Sequence, residues 1–182
     1  MLADSGLDID ARTAEAVGGM PEVVEDQDTF SGNALKKARA LAALLPEDGV
    51  ALADDSGICI DAFDGAPGVR SARYAGENAS DEENLDKLIR EMESVPDGQR
   101  GGSFQCHLAV VEPQGRESVF VGEILGTILR EKRGENGFGY DPVFLPLGYE
   151  LTTAEMPGSA KAKISHRGNA MRRFLSWVEN RV

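Results

Sequence analysis

Residues 50–61, with the sequence Val50-Ala-Leu-Ala-Asp-Asp-Ser-Gly-Ile-Cys-Ile-Asp61, decide the fold class of this chain. Two short apolar runs, Val50–Ala53 and Ile58–Ile60, flank four small polar residues. Each run is too short for a helix, so both predict the buried ends of strands. The two adjacent carboxylates of Asp54–Gly57 are well placed to hold a hard cation. The same residue types are common in turns, so a plain turn is the alternative.

Helical and strand patterns alternate on both sides of this stretch and predict an α/β fold. The helix predicted first has an apolar face and places Lys36, Lys37 and Arg39 on its solvated side. The second begins with an S-x-x-E capping box. The two later strands are expected to pair as an antiparallel hairpin, with a bulge or bend at Gly122 and Gly126. The predicted elements are helices at 29–45, at 80–93 and after 168, and strands at 104–111 and 118–128.

The composition indicates one globular domain that spans residues 1–182. Of the 182 residues 41% are hydrophobic, which is enough for one sizeable core. The formal net charge of -12 argues against a nucleic-acid polymer as partner, because phosphate backbones need a basic face. No run approaches the roughly 20 apolar residues of a membrane span. An acidic N-terminus and the two cysteines, expected as free thiols, favour a cytoplasmic protein.

The loop at 134–142, with the sequence Gly134-Glu-Asn-Gly-Phe-Gly-Tyr-Asp-Pro142, carries two aromatic side chains among three glycines and a proline. Phe138 and Tyr140 would lose favourable burial in such a loop unless something covers them. A planar base that stacks on them is one physical reason for their presence. The alternative is that the loop folds back and buries both rings.

The densest basic patch of this acidic chain lies at Lys161, Lys163, His166 and Arg167. It falls at or just before the predicted start of the last helix, where the helix dipole favours anions over cations. Together with the carboxylates and the aromatic loop, this patch suggests a nucleotide phosphate ester as ligand. Metal-assisted attack of water on phosphorus fits these groups, with one Asp as proton acceptor and a Lys near the leaving charge.

Four motifs resemble, in order and spacing, the inosine triphosphate pyrophosphatase family over nearly the whole chain. The resemblance implies a homodimeric α/β protein with an elongated mixed sheet, flanking helices, and a cleft between two lobes. It implies Mg²⁺-dependent hydrolysis of deaminated purine nucleoside triphosphates (ITP, dITP, XTP) to the monophosphate and pyrophosphate. The motifs are Ala53–Gly57, Gly65–Gly68 with Ser71–Tyr74, Gly137–Pro142 and Ile164–Gly168.

The resemblance also implies a role for individual residues. Asp55 would be the proton acceptor and a metal ligand, supported by Asp54. The base would stack on the Phe138 and Tyr140 loop, and Lys161 would bind phosphate. The remaining implied substrate contacts are Ser56, Gly139, Asp141, His166 and Arg167.

Two departures from the family pattern accompany this resemblance. The family normally begins with a strand and a phosphate-binding loop, and the chain is expected to lack both, because Met1–Gly6 resembles the end of the helix that follows. The family often has Glu at the position of Gly32, for which Glu22 or Glu25 could substitute. The alternatives are therefore a catalytically impaired nucleotide-binding protein, or a pyrophosphatase for other modified nucleotides.

Overall fold

The computed structural model describes residues 9–181, which form one four-stranded sheet with helices on both faces. The strands follow each other in the order β1-β2-β3-β4, and each neighbouring pair is antiparallel. The strands are β1 (Ala51–Ile60), β2 (Gly101–Val111), β3 (Glu117–Ile128) and β4 (Phe144–Pro146), and the α-helices are α1 (Phe30–Ala42), α2 (Asp81–Glu91), α3 (Gly158–Ile164) and α4 (His166–Glu179).

Strand β1 runs without interruption through the two adjacent carboxylates. Asp54 lies opposite Leu108 and Asp55 opposite His107 in the β1–β2 ladder. The alternative of a plain turn at this point is therefore wrong. The ladder persists because β2 supplies a partner along the whole length of β1, so backbone pairing outweighs the turn preference of Asp, Ser and Gly.

Each face of the sheet is covered by a different helix. Helix α1 packs Ala34 and Ala38 against one face of β1 and β2, and α4 packs Ala170 and Phe174 against the other. Because successive side chains of a strand point to opposite faces, both faces of the sheet carry apolar side chains for the helices to cover. Among the described strands β1 is at the edge of the sheet, so its outer side adjoins both faces of the sheet.

Of the predicted bulge or bend in β3, the bulge is absent, because the register with β2 is continuous from residue 117 to residue 127. Gly122 has another purpose in the fold. A Cβ at this position would clash with the backbone of His166 and Ala170, at the start of α4. The missing side chain therefore lets the first turn of α4 lie directly on the sheet.

The predicted capping box of α2 is confirmed, although α1 and α2 are shorter than expected. The Thr29 hydroxyl accepts a hydrogen bond from the Gly32 N–H and caps α1. Ser80 and Glu83 form both bonds of the capping box of α2. These side chains satisfy amides that the first turn leaves without a helical partner.

The α/β class with flanking helices is confirmed, and all pairings between the described strands are antiparallel. The helical end predicted at Met1–Gly6 lies outside the described residues. The alternating residues Leu7-Asp-Ile-Asp10 predict a short strand, but Ile9 and Asp10, the two of them that are described, have no regular structure. Within residues 9–181, none of the helices has both the length and the apolar character that crossing a bilayer requires.

Candidate active site

One cavity of about 440 Å³ gathers most of the residues that the sequence singled out. Its wall combines the face of β1 that carries Ser56 with the loop around Phe138 and the segment that joins α3 to α4. A cleft of this size that is built from distant parts of the chain is the usual form of a small-molecule site. The predicted residues in its wall are Ser56, Phe138, Gly139, Tyr140, Asp141, Lys161, His166 and Arg167.

Asp54 and Asp55 do not form one carboxylate pair, because neighbouring residues of a strand point to opposite faces of a sheet. Asp54 contacts Arg167 of α4, whereas Asp55 contacts Asn33 and Lys37 of α1. The expectation that the two acids jointly hold one cation is therefore corrected by the fold. The Asp54 side chain shares its face with the cavity, and Asp55 lies across the edge strand from it.

The Asp55 carboxylate lies in a small polar cluster between β1 and α1. The Lys37 Nζ is 2.8 Å from its Oδ1, and the Asn33 amide donates to its Oδ2 over 3.2 Å. Burial raises the pKa of Asp55 above its ordinary range, even though Lys37 and Asn33 lower it; the nearby Glu25 charge raises it further. A carboxylate with a raised pKa is better suited to accept a proton near neutral pH.

Lys37 also contacts a second carboxylate. Its Nζ is 3.4 Å from the Glu25 Oε1, so the ammonium lies between the carboxylates of Glu25 and Asp55. The loop that carries Glu25 is fastened at two points. Arg73 donates to the Glu25 carbonyl over 2.8 Å, and the Gln27 N–H donates to the Asn33 side chain over 3.0 Å.

Sequence reasoning missed this cluster. Lys37 was expected on the solvated side of α1, but its side chain is only 16% exposed. Its spacing from Asn33 by four residues places both side chains on one helix face, which is the signal that was available. What the sequence lacked was the register that brings this face onto Asp55.

On the cavity side, Asp54 holds Arg167 in place. The Arg167 Nε donates to the Asp54 Oδ2 over 3.0 Å, and the Ser56 hydroxyl donates to the same oxygen over 2.7 Å. Burial alone would raise the pKa of Asp54, but the Arg167 charge and these two hydrogen bonds lower it below its ordinary range. Asp54 is therefore a carboxylate that stays ionised and orients a cation at the rim of the cavity.

The two aromatic residues of the loop have different environments. Phe138 is 61% exposed, and the Lys161 Nζ and the Arg167 Cζ lie 5.0 and 5.6 Å from its ring centroid. Tyr140 is buried, and its hydroxyl donates to the Ser71 carbonyl over 2.7 Å. Tyr140 therefore follows the alternative in which the loop folds back and buries its ring. Of the two rings, Phe138 is the one that remains exposed for stacking.

Asp141 organises the base of this loop. Its carboxylate accepts from the Phe138 N–H over 2.9 Å and from the Thr153 hydroxyl over 2.8 Å, and it forms an ion pair with Lys161. A carboxylate that accepts several hydrogen bonds at once fixes the groups that donate them. Lys161 lies just before α4, as predicted, but within the last turn of the short helix α3, where the helix dipole favours a cation.

His166, the first residue of α4, is buried and stacks on Phe104 at a centroid distance of 5.0 Å. Burial, assisted by the positive charge of Arg167, lowers its pKa to about 4. The imidazole is therefore neutral at pH 7 and presents one donor and one acceptor nitrogen. The Ser165 hydroxyl accepts from the Gly168 N–H and caps the helix at this point.

The donor set suits a hard divalent cation better on the Asp55 side than on the Asp54 side. Among residues 9–181, no three His, Cys, Asp or Glu side chains converge on one point. Two carboxylates, from Glu25 and Asp55, nevertheless approach one positive charge, the Lys37 ammonium. Carboxylate oxygens are the ligands that Mg²⁺ prefers, usually one or two of them with water and substrate phosphates.

Known proteins resemble this chain over most of its length. The Ham1 family matches residues 1–177. A dITP/XTP pyrophosphatase of Opitutus terrae is 50% identical over 174 residues, which cover 96% of this chain and 86% of that protein. A dITP/XTP pyrophosphatase of Geobacter sulfurreducens is 50% identical over 168 residues, which cover 91% of this chain and 82% of that protein.

Solved structures agree with the sequence comparison. A HAM1 protein from Coxiella burnetii superposes with a TM-score of 0.87 at 38% identity, covering 96% of this chain and 88% of its own. The Staphylococcus aureus Ham1 protein gives a TM-score of 0.83 at 39% identity, with 89% and 82% covered. The resemblance read from the four motifs is thereby confirmed, and the chain belongs to the Ham1 family.

Proposed function

We propose that this chain hydrolyses deaminated purine nucleoside triphosphates (ITP, dITP and XTP) to the monophosphate and pyrophosphate. The observation that carries this is the single cavity lined by all eight residues expected to contact substrate. The similar proteins of Opitutus and Geobacter, named dITP/XTP pyrophosphatases, support the same substrate class. Residues 1–182 are proposed to act as one catalytic domain, in the cytoplasm.

The base is proposed to stack on the open face of Phe138. Base–aromatic stacking stabilises binding by about 1–3 kcal/mol and needs an exposed ring of this kind. Lys161 is proposed to bind phosphate. Arg167, which can only donate hydrogen bonds and whose Cζ lies 5.6 Å from the Phe138 ring centroid, is proposed to face the 6-position of the base. A 6-oxo group accepts such a bond, whereas the 6-amino group of adenine would face an unpaired donor, which disfavours ATP.

The triphosphate is proposed to pass over the open edge of β1 toward Asp55. Among the described strands β1 is at the edge of the sheet, so only its own width of about 4.8 Å separates the two faces there. Lys37 would then meet the phosphates from the opposite face. In this arrangement residues on one face of β1 bind the base, and residues on the other face contact the reacting phosphate.

The reaction is proposed to use Asp55 as the proton acceptor. Water attacks phosphorus, its proton passes to the Asp55 carboxylate, and the bridge between the α- and β-phosphates breaks. Pyrophosphate leaves with the bridging oxygen, and Lys37 stabilises negative charge that develops there. Mg²⁺ is the proposed metal, with Asp55 and Glu25 as ligands. A bound Mg²⁺ would neutralise phosphate oxygens and lower the pKa of water.

A homodimer is proposed from one exposed apolar surface. Leu125 and Leu147 are both more than half exposed, and the Leu147 N–H donates to the Leu125 carbonyl, so the two are adjacent. Tyr149 and Leu151 extend the exposed apolar residues along the same segment. A second copy of the chain would cover this surface, and size-exclusion chromatography with light scattering measures whether it does.

A nucleotide-binding protein without turnover is the second candidate. The observation in its favour is the Lys37–Asp55 ion pair, which occupies the proton acceptor. Hydrolysis of other modified nucleotides is a further alternative, and a panel of pyrimidine substrates tests it.

The deciding experiment measures pyrophosphate release from ITP and from ATP with Mg²⁺, for the parent chain and for Asp55→Asn. We expect release by the parent alone, with ITP strongly preferred. Equal rates with ITP and ATP would contradict the proposed base selectivity. No release by a folded parent that still binds inosine monophosphate would favour the second candidate.

A further inference from the structure

The segment from Gly137 to Asp141 forms a thin wall between two cavities. On one side lies the proposed base site of about 440 Å³, and on the other a cavity of about 370 Å³. Phe138, Gly139 and Asp81 line both cavities. The open volume behind the wall means that close packing does not keep Phe138 in its position.

Burial and side-chain packing hold the Gly137–Gly139 part of this wall only weakly, whereas Tyr140 and Asp141 next to it are buried. Phe138 is largely exposed, and Gly137 and Gly139 have no side chains and left-handed φ angles of 83° and 58°. Two carboxylates hold the backbone instead. Asp141 accepts from the Phe138 N–H, and Asp81 accepts from the Gly139 N–H, each over 2.9 Å.

Asp81 is held by a rigid part of the fold. It is the first residue of α2, whose start is fixed by the reciprocal bonds of Ser80 and Glu83. The same helix buries Leu85 and Leu88 in the main core. The hydrogen bond from the Gly139 N–H to Asp81 therefore ties the glycine-containing loop to an anchored helix 58 residues away in the sequence.

On the basis of the proposed function, we infer that Asp81 is a positioning residue for base binding. Its carboxylate fixes the Gly139 amide and, through the adjoining residue, the ring of Phe138. A hydrogen bond to a charged acceptor is stronger than one between neutral groups, so one such bond can hold a glycine-rich turn. Within the described part of the chain, the Asp81 carboxylate accepts its hydrogen bond from the loop that carries Phe138, so we expect Asp81 to affect binding of the base more than binding of the phosphates.

Three variants separate this role from a general loss of stability. Asp81→Ala removes the acceptor, Asp81→Asn keeps an acceptor oxygen without the charge, and Glu82→Gln is the matched control. Glu82 is the next residue of α2 and has only a long ion pair with Lys132, at 3.9 Å. Each variant is compared with the parent by thermal unfolding, ITP kinetics, and calorimetric binding of inosine monophosphate and of pyrophosphate.

For Asp81→Ala we expect a fivefold to tenfold rise in KM for ITP and in the dissociation constant of inosine monophosphate. The kcat and the binding of pyrophosphate should change less than twofold. Asp81→Asn should recover most of the loss, and Glu82→Gln should match the parent. Equal weakening of monophosphate and pyrophosphate, or unchanged monophosphate binding, would overturn the inference.

Hydrogen exchange of the amides at 137–141 makes the test independent of turnover. Asp81→Ala should accelerate exchange in this segment, and Glu82→Gln should not. If the parent releases no pyrophosphate from ITP, the proposed function fails, but this measurement still decides whether Asp81 holds the loop. Unchanged exchange in Asp81→Ala would overturn the inference whatever the kinetics show.

Discussion

Lys37 and Asp55 form an ion pair, with the Lys37 Nζ 2.8 Å from the Asp55 Oδ1, on the face of β1 opposite to the base cavity. Both side chains are largely buried, so the pair is shielded from water. Buried pairs of this kind are costly to break from one side, because the remaining charge loses its partner. The pair thus makes the positions of helix α1 and of the proposed proton acceptor mutually dependent.

Removal of the Lys37 charge is predicted to impair catalysis strongly. For Lys37→Met we expect kcat/KM with ITP to fall by about 10²-fold, since one preorganised charge on a developing anion typically contributes that much. Steady-state pyrophosphate release measures the effect. Lys36→Met is the control, because Lys36 is paired with the exposed Asp26 and not with Asp55. Similar losses in both variants would contradict the assignment.

The Phe138 ring is predicted to contribute to nucleotide binding and little to stability. For Phe138→Ala we expect KM for ITP to rise by about tenfold, from the loss of roughly 1–3 kcal/mol of base stacking. The melting temperature should hardly change, because the ring is 61% exposed. Tyr140→Phe should behave in the opposite way, losing about 1 kcal/mol of stability with the buried hydroxyl bond to Ser71.

Glu25 is predicted to contribute to the binding of Mg²⁺ together with Asp55. For Glu25→Gln we expect the affinity for Mg²⁺, measured by calorimetry without substrate, to fall on the order of tenfold, since one of two carboxylate ligands is lost. Asp26→Asn is the neighbouring control, because Asp26 pairs with Lys36. Unchanged Mg²⁺ affinity in Glu25→Gln would exclude it as a ligand.

The buried neutral His166 is predicted to make the fold sensitive to acid. Burial lowers its pKa from about 6.5 to about 4, so between these values the folded state binds fewer protons than the unfolded state. The free energy of unfolding should therefore fall as the pH drops from 6.5 to 4.

Urea unfolding across this pH range measures the slope. In His166→Gln, which has no titrating ring, the decline over the same window should be shallower than in the parent. Identical slopes in the two proteins would show that His166 is not the group responsible.

The sequence by itself determined three of the four described α-helices, the capping box of α2 and the identity of eight cavity residues, whereas α3 was not predicted. The apolar stripe of α1, the capping box of α2 and the hairpin of β2 and β3 follow from local periodicity and from residues a few positions apart. The residue types in the four motifs at 53–57, 65–74, 137–142 and 164–168 were sufficient to indicate the family. Such features depend on short-range preferences that a linear pattern records.

Only the tertiary structure decided which of these residues act together. Continuous pairing with β2 joined the two expected strand ends at Asp54–Gly57 into one strand, and the alternation of that strand sent Asp54 and Asp55 to opposite faces. The packing of α1 brought Lys37 and Glu25 to Asp55, and α2 brought Asp81 to Gly139. These contacts join residues far apart in the chain, so they depend on strand register and helix packing, which local sequence preferences do not specify.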